Sequence, residues 1–208
     1  MVFLDQKIAF PEVSKASKEG ILAIGGDLSP ERLILAYKLG IFPWFDADEP
    51  IIWWSPDPRF VLFPQKLRVS KSMRQVMRNT DFEVTVNADF EAVISNCSKM
   101  KRNGQQGTWI TNTMKAAYLK LHQMGKAKSV EVWLQGELVG GLYGVDLGNG
   151  VFCGESMFAK VSNASKAGFI TFIENSDYAL IDCQVYTNHL ESLGAEEISR
   201  SHFLSYLD

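Results

Sequence analysis

The sequence predicts an α+β protein in which a small N-terminal domain, residues 1–62, precedes a larger domain, residues 63–208, built on a central mixed β-sheet. Three observations carry this. Ser129 to Phe158 packs three short β runs and two glycine-containing turns into one stretch, the pattern of an antiparallel meander. Segments of helical periodicity lie on both sides of it. Residues 41–59 hold Trp44, Trp53 and Trp54 among Pro43, Pro50, Pro56 and Pro58, too irregular for a long helix or a central strand.

Composition limits the function classes. With 208 residues, 46% hydrophobic and 22% charged, the chain has an ordinary globular make-up and can bury a core. The N-terminus lacks the apolar run of a signal peptide, and no run of roughly eighteen apolar residues occurs, so a cytoplasmic protein without a membrane segment is expected. Cys97, Cys153 and Cys183 sit far apart inside apolar runs, as buried free thiols would, without metal-ligand spacing. A net charge of -3 means that any contact with nucleic acid must come from a local patch.

In chain order, Ser29 as N-cap, Pro30 at the first helical position, Glu31 at the positive end and Gly40 beyond the last turn bracket a helix over residues 30–39. The aromatic loops that follow can form a local core, a platform for stacking nucleobases, or both. From Lys66 to Arg78 there are five positive charges and no acid. Ser70 caps a helix there whose Met73, Val76 and Met77 face inward, while Lys71, Arg74 and Arg78 form a cationic face suited either to solvent or to phosphates. Phe82 to Asn87 alternates as a strand; Phe90, Val93, Ile94 and Cys97 recur at helical spacing, as do Met114, Ala117, Tyr118, Leu121 and Met124 before Gly125. The methionines Met73, Met77, Met114 and Met124 read as core.

Within the meander, Val130, Val132 and Leu134 alternate with Glu131 and Trp133, the period of a half-buried strand, and Gln135-Gly136 and Asn149-Gly150 supply the turns. The third run sets Cys153, Glu155 and Met157 on one face, a carboxylate between apolar side chains, and Gly154 suits a bulge or a close backbone approach. A helix through Phe169, Phe172 and Ile173, a strand from Leu180 to Val185 and a short helix near residues 201–207 complete the chain. Two apart on their strand, Asp182 and Gln184 share a face, with Ile181, Cys183 and Val185 opposite. His122 reads as a helix-end residue and His189 as part of a turn after the strand.

The element order of the larger domain resembles the acyltransferase fold of the GNAT superfamily. Gly25-Gly-Asp-Leu-Ser-Pro30, Trp53-Trp-Ser-Pro-Asp-Pro-Arg59, Gly107-Thr-Trp-Ile-Thr111, Gly154-Glu-Ser-Met-Phe158, Asn163-Ala-Ser-Lys166 and Asp182-Cys-Gln184 go further. Together they resemble the leucyl/phenylalanyl-tRNA-protein transferase family over nearly the whole chain, Lys128 departing from its pattern. That resemblance implies transfer of Leu or Phe, with Met a further candidate, from Leu-tRNA or Phe-tRNA to the N-terminal Lys or Arg of acceptor proteins, marking them for degradation. It implies a cytoplasmic monomer using no cofactor and no metal. It places the aminoacyl side chain among Leu142, Phe152, Met157, Phe169, Phe172 and Ile181, Glu155 at the aminoacyl end, Asp182 and Gln184 in catalysis, and Trp53, Trp54 and Trp109 around the terminal adenosine.

Joining an aminoacyl ester to an amine starts from an activated acyl group, so few polar groups suffice: the amine must be positioned, its proton accepted and water excluded. Two other classes stay open. One is a GNAT-type N-acyltransferase using acyl-CoA, although Ala159 to Gly168 lacks the glycine-rich pyrophosphate loop of that class; the other is a tRNA-binding module without catalysis.

Overall fold

The computed structural model describes residues 2–100 and 109–207, in which the strands form two sheets. The smaller, of order β1-β2-β4-β3, consists of β1 (Val2–Leu4), β2 (Ile21–Gly25), β3 (Phe42–Pro43) and β4 (Ile52–Trp54). Helix α1 (Pro30–Lys38) lies between β2 and β3 in sequence and starts as the residues require: Ser29 accepts a hydrogen bond from the backbone N–H of Arg32, and Pro30 occupies the first turn, where no N–H is needed. Trp53 is fully buried, donating from Nε1 to the Gly25 carbonyl at 2.9 Å and meeting the Phe10 ring edge-on at 4.9 Å.

The larger sheet has seven strands in the order β11-β5-β10-β9-β8-β7-β6. These are β5 (Arg59–Leu62), β6 (Glu83–Val86), β7 (Ala127–Leu134), β8 (Glu137–Asp146), β9 (Val151–Ala159), β10 (Leu180–Gln184) and β11 (Glu196–Ile198). Only β9 and β10 run parallel; their neighbours pair antiparallel, so the sheet is mixed. Strand β5 precedes the division at residues 62/63 and yet is an inner strand of this sheet, between β10 and β11.

The helices are α2 (Lys71–Asn79), α3 (Phe90–Lys99), α4 (Asn112–Gln123), α5 (Ala164–Glu174), α6 (Asn188–Glu191) and α7 (Arg200–Leu204). One apolar core gathers α1, α3, α4 and Phe203 of α7 with Tyr143, Val145, Cys153 and Phe158. A second gathers α5 and Met73 with Val130, Leu142, Phe152 and Ile181. Neighbours in β8 and β9 thus serve opposite cores, as strand alternation requires. Burying each large side chain of this kind contributes roughly 1.5–3 kcal/mol.

Three expectations change. Glu131 is fully buried, because β7 is an inner strand with both faces covered. Its carboxylate accepts from Thr85 Oγ1 at 2.8 Å, Ser129 Oγ at 2.5 Å and the Ala88 and Asp89 N–H groups at 3.1 and 3.3 Å, where the positive end of α3 favours a negative charge. Met124 lies past the end of α4 and is 51% exposed, so it is no core residue. Cys183, expected inside, is half-buried. The first meander turn is as its residues dictate, with Gln135 and Gly136 at φ 52° and 80°.

Candidate active site

Two irregularities on adjacent strands create the site. Along β9, Ser156 pairs with Tyr143 and Gly154 with Gly144 of β8, leaving Glu155 as an extra residue. Along β10, Asp182 pairs with Val61 and Gln184 with Phe60 of β5, leaving Cys183 as the extra one. The parallel ladder between β9 and β10 ends at the pair Asp182 and Cys153. Each extra residue bends its strand and re-aims side chains. Where the ladder ends, a cavity of about 480 Å³ opens.

Leu142, Met157, Phe169 and Ile181 form one apolar wall, and Phe42, Pro43, Trp44 and Trp109 contribute another. Phe152 and Phe172, expected beside them, lie behind that wall. Phe152 is fully buried and meets the Phe172 ring at 4.8 Å, and Phe172 faces a second cavity of about 540 Å³ with Lys128, Asp146 and Tyr178. Lys128 there is tied to Asp146 at 2.7 Å and to the Tyr178 hydroxyl at 3.1 Å.

The polar end of the first cavity comes from Glu155, Asp182 and Gln184. Gln184 adopts a left-handed backbone, φ 63°, uncommon for a side chain of this kind. Its N–H donates to Asp182 Oδ1 at 2.9 Å, and its Nε2 donates to Glu155 Oε1 at 2.7 Å. Asp182 is itself fully buried and receives Arg59 Nε at 2.8 Å and Nη2 at 2.6 Å. Simple alternation along β10 therefore fails. The extra residue brings Cys183 to the cavity wall, while the Asp182 carboxylate turns back to hold Arg59 and the Gln184 backbone. Arg59 also donates from Nη1 to the Gly40 carbonyl at 3.2 Å, and its guanidinium lies 4.7 Å from the Phe42 ring and 4.6 Å from the Phe203 ring. Burial disfavours that charge, and the Asp182 carboxylate outweighs the penalty, raising the guanidinium further.

Glu155 is half-buried and accepts from Tyr37 at 2.7 Å and Tyr118 at 2.9 Å, besides Gln184. Desolvation lifts its carboxyl to about 7; the hydroxyls of Tyr37 and Tyr118 oppose the rise and the nearby Asp182 charge adds to it. Burial and the Glu155 charge push both phenols up. His189 lines the cavity, its imidazole lowered by burial and by Lys166, whereas His122 stacks on Phe90 at 4.3 Å and contacts the Ala127 carbonyl.

The remaining candidates are spread out. Trp109 lines the cavity; Trp54 is half-buried, its Nε1 donating to the Trp44 carbonyl at 2.6 Å; Trp53 is enclosed in the small core, its ring covered on all sides. Gly107 and Thr108 of the motif around Trp109 lie outside the described residues. Lys71, Arg74 and Arg78 are exposed on α2, Arg74 lying 3.8 Å from the exposed Glu174. Sequence reasoning missed Arg59, Tyr37 and Tyr118. An arginine opening the apolar run Phe60-Val-Leu62 and an aspartate inside Leu180-Ile-Asp-Cys183 each need a buried partner, and that mutual need was the available signal.

The chain is thus a mixed-sheet α+β protein whose large sheet parts over an apolar pocket with a hydrogen-bonded amide and carboxyl at one end. Residues 61–208 match the family model described as leucyl/phenylalanyl-tRNA protein transferase, and residues 26–57 match the N-terminal domain of the same family. A leucyl/phenylalanyl-tRNA--protein transferase of Flavobacterium johnsoniae is 60% identical over 100% of this chain and 99% of its own. One from Pseudomonas aeruginosa is 53% identical over 95% of this chain and 89% of its own. The chain belongs to the leucyl/phenylalanyl-tRNA protein transferase family. Among solved structures, a GCN5-related N-acetyltransferase from Kribbella flavida aligns with a TM-score of 0.41 and 11% identity, over 80% of this chain and 60% of that one. Among the described residues, no helix is long and apolar enough to cross a membrane.

Proposed function

We propose that this chain moves Leu or Phe from an aminoacyl-tRNA to the N-terminal Lys or Arg of an acceptor protein, forming a peptide bond that marks the acceptor for degradation. The observation that carries this reading is the adjacency of an apolar pocket to the Gln184 and Glu155 pair, 2.7 Å apart at its polar end. An apolar side chain enters between Leu142, Met157, Phe169 and Ile181, and its ester lies toward Gln184. Trp44 and Trp109 supply flat apolar surface for the terminal adenosine.

The ester is already activated, so the residues have three tasks. Glu155 engages the α-amino end of the donor. Gln184 donates through Nε2 to Glu155, which leaves its Oε1 for the attacking amine. Asp182 and Arg59 hold Gln184 in its left-handed turn, so the amide is in place before substrate arrives. As the N–C bond forms, the C–O bond to the terminal ribose breaks, and the ribose oxygen takes the proton lost by the amine. The exposed cations of α2 lie outside the pocket and would contact the tRNA backbone. The setting proposed for this reaction is the cytoplasm, with the chain as a monomer.

Incubating the protein with labelled Phe-tRNA and a protein ending in N-terminal Arg tests the reading. Label should join the acceptor through a new peptide bond, and none should join when the acceptor's terminus is blocked. Absence of transfer to the free terminus would overturn the function.

A further inference from the structure

Two phenol oxygens and the Glu155 carboxyl form a closed ring of three short contacts: Tyr37 to Oε1 at 2.7 Å, Tyr118 to Oε2 at 2.9 Å, and Tyr37 to Tyr118 at 2.5 Å. Each contact needs one hydrogen, and the two phenols supply two. With an ionised carboxylate, both phenols donating to it leave two bare lone pairs facing each other at 2.5 Å. One added proton closes the ring. Placed on Oε2, it is donated to Tyr118, Tyr118 donates to Tyr37, and Tyr37 donates to Oε1, which also receives Gln184. Such a cycle polarises each bond in the same sense.

The surroundings agree. Tyr37 comes from α1 and Tyr118 from α4, both fully buried, and Glu155 reaches the cavity. Tyr143 of β8 packs edge-on against Tyr118 at 5.5 Å. From β10 the Asp182 charge faces Glu155, Arg59 of β5 is bound up with Asp182, and Cys153 of β9, the strand of Glu155 itself, carries a thiol that burial holds neutral. The unpaired positive charge that would keep Glu155 ionised is therefore missing among the described residues around it.

We propose that Glu155 carries this ring proton in the free protein and gives it up when the α-ammonium group of the aminoacyl donor binds, so that the site selects donors with a free amine. The exchange balances: the carboxylic acid and the ammonium become a carboxylate–ammonium pair, and one proton passes to solvent. The ammonium supplies N–H donors to the carboxylate where the ring proton sat. A donor whose amine is acylated has no charge to drive the exchange. Tyr37 and Tyr118 act through Glu155 and are positioning residues. This inference rests on the proposed function, which brings an aminoacyl ester to the pocket.

Calorimetry in buffers of different ionisation enthalpy, with an amide-linked phenylalanyl-adenosine as ligand, counts the protons released. With the carboxyl at about 7, about one proton should leave per ligand at about pH 6; at about pH 8.5 the carboxyl is already ionised and most of the free α-amine is neutral, so release should give way to proton uptake. Glu155→Gln should release none at either pH. The N-acetylated ligand should release none and bind the wild type at least about tenfold more weakly. Tyr37→Phe and Tyr118→Phe each remove a phenol that holds the carboxyl down, and both should move the fall in proton release to higher pH. Binding without release at the lower pH, or release unchanged in Glu155→Gln, overturns the proposal. Failure of the ligand to bind at any pH overturns the proposed function and this inference with it.

Discussion

Asp182 and Arg59 form a two-point ion pair sealed from solvent, 2.8 and 2.6 Å between their paired atoms, and the same carboxylate holds the backbone of Gln184. Removing either charge leaves the other buried and unmatched, a loss of about 3–5 kcal/mol. Asp182→Ala and Arg59→Met should therefore lower the melting temperature and slow transfer together. Gln184→Ala should keep the fold and slow the chemical step by on the order of a hundredfold. Single-turnover transfer at saturating Phe-tRNA, read beside thermal unfolding, separates them. Equal melting temperatures for Asp182→Ala and Gln184→Ala would contradict the pairing. The double variant should lose less activity than the product of the singles, since both act through one turn.

Met157 stands on the pocket wall with Leu142 and Phe169. Met157→Ala should remove packing worth about 1–3 kcal/mol to a bound Leu or Phe side chain, weakening transfer of both by roughly tenfold to a hundredfold. Competition between the two charged tRNAs checks it. An unchanged rate and preference would place the side chain elsewhere.

Neutralising Lys71, Arg74 and Arg78 together should weaken tRNA binding and flatten its salt dependence, with a fall in slope of about 2 to 3 if all three meet phosphates. The Arg74 contact with Glu174, at 3.8 Å between two exposed groups, is too weak to hold that arginine back. Amino-acid preference should stay as it was. Filter binding across a salt series measures the slope, and an unaltered slope excludes this face.

Stability should also depend on pH through Glu155. Its carboxyl rises on folding from 4.5 to about 7, so the folded state holds the proton more tightly than the unfolded one. The resulting stabilisation is complete below the unfolded value and is lost as pH climbs through about 7. Glu155→Gln keeps a neutral donor and acceptor in place and escapes that loss. Relative to wild type it should gain on the order of 3 kcal/mol above neutrality and little in acid. Denaturant melts at both extremes would show it, and a gain confined to acid would refute the assignment.

What the sequence made legible follows from how local each feature is. Ser29, Pro30 and Gly40 announced α1 because capping is a matter of adjacent residues, and Gln135-Gly136 announced its turn for the same reason. The dipeptide character of Gly154-Glu155 hinted at an irregular strand, and the extra residue there is Glu155. Less local features stayed hidden. Glu131 alternates like a surface residue, but strand periodicity cannot tell that a sheet is covered on both faces. The i and i+2 reasoning for Asp182 and Gln184 assumed a regular strand, and one extra residue at Cys183 undid it. Tyr37 and Tyr118, eighty-one residues apart, meet through the packing of α1 against α4, which no periodicity encodes.

Phe203 and Phe42 both lie against the Arg59 guanidinium, at 4.6 and 4.7 Å. These rings come from positions 161 residues apart in the chain. The packing around the ion pair is therefore complete only when strand β3, which carries Phe42, and helix α7, which carries Phe203, both rest against Arg59. A line of contacts runs from Phe203 of α7 through Arg59 and Asp182 to the backbone of Gln184. Loosening α7 would thus be felt at Gln184, relayed through Arg59 and Asp182.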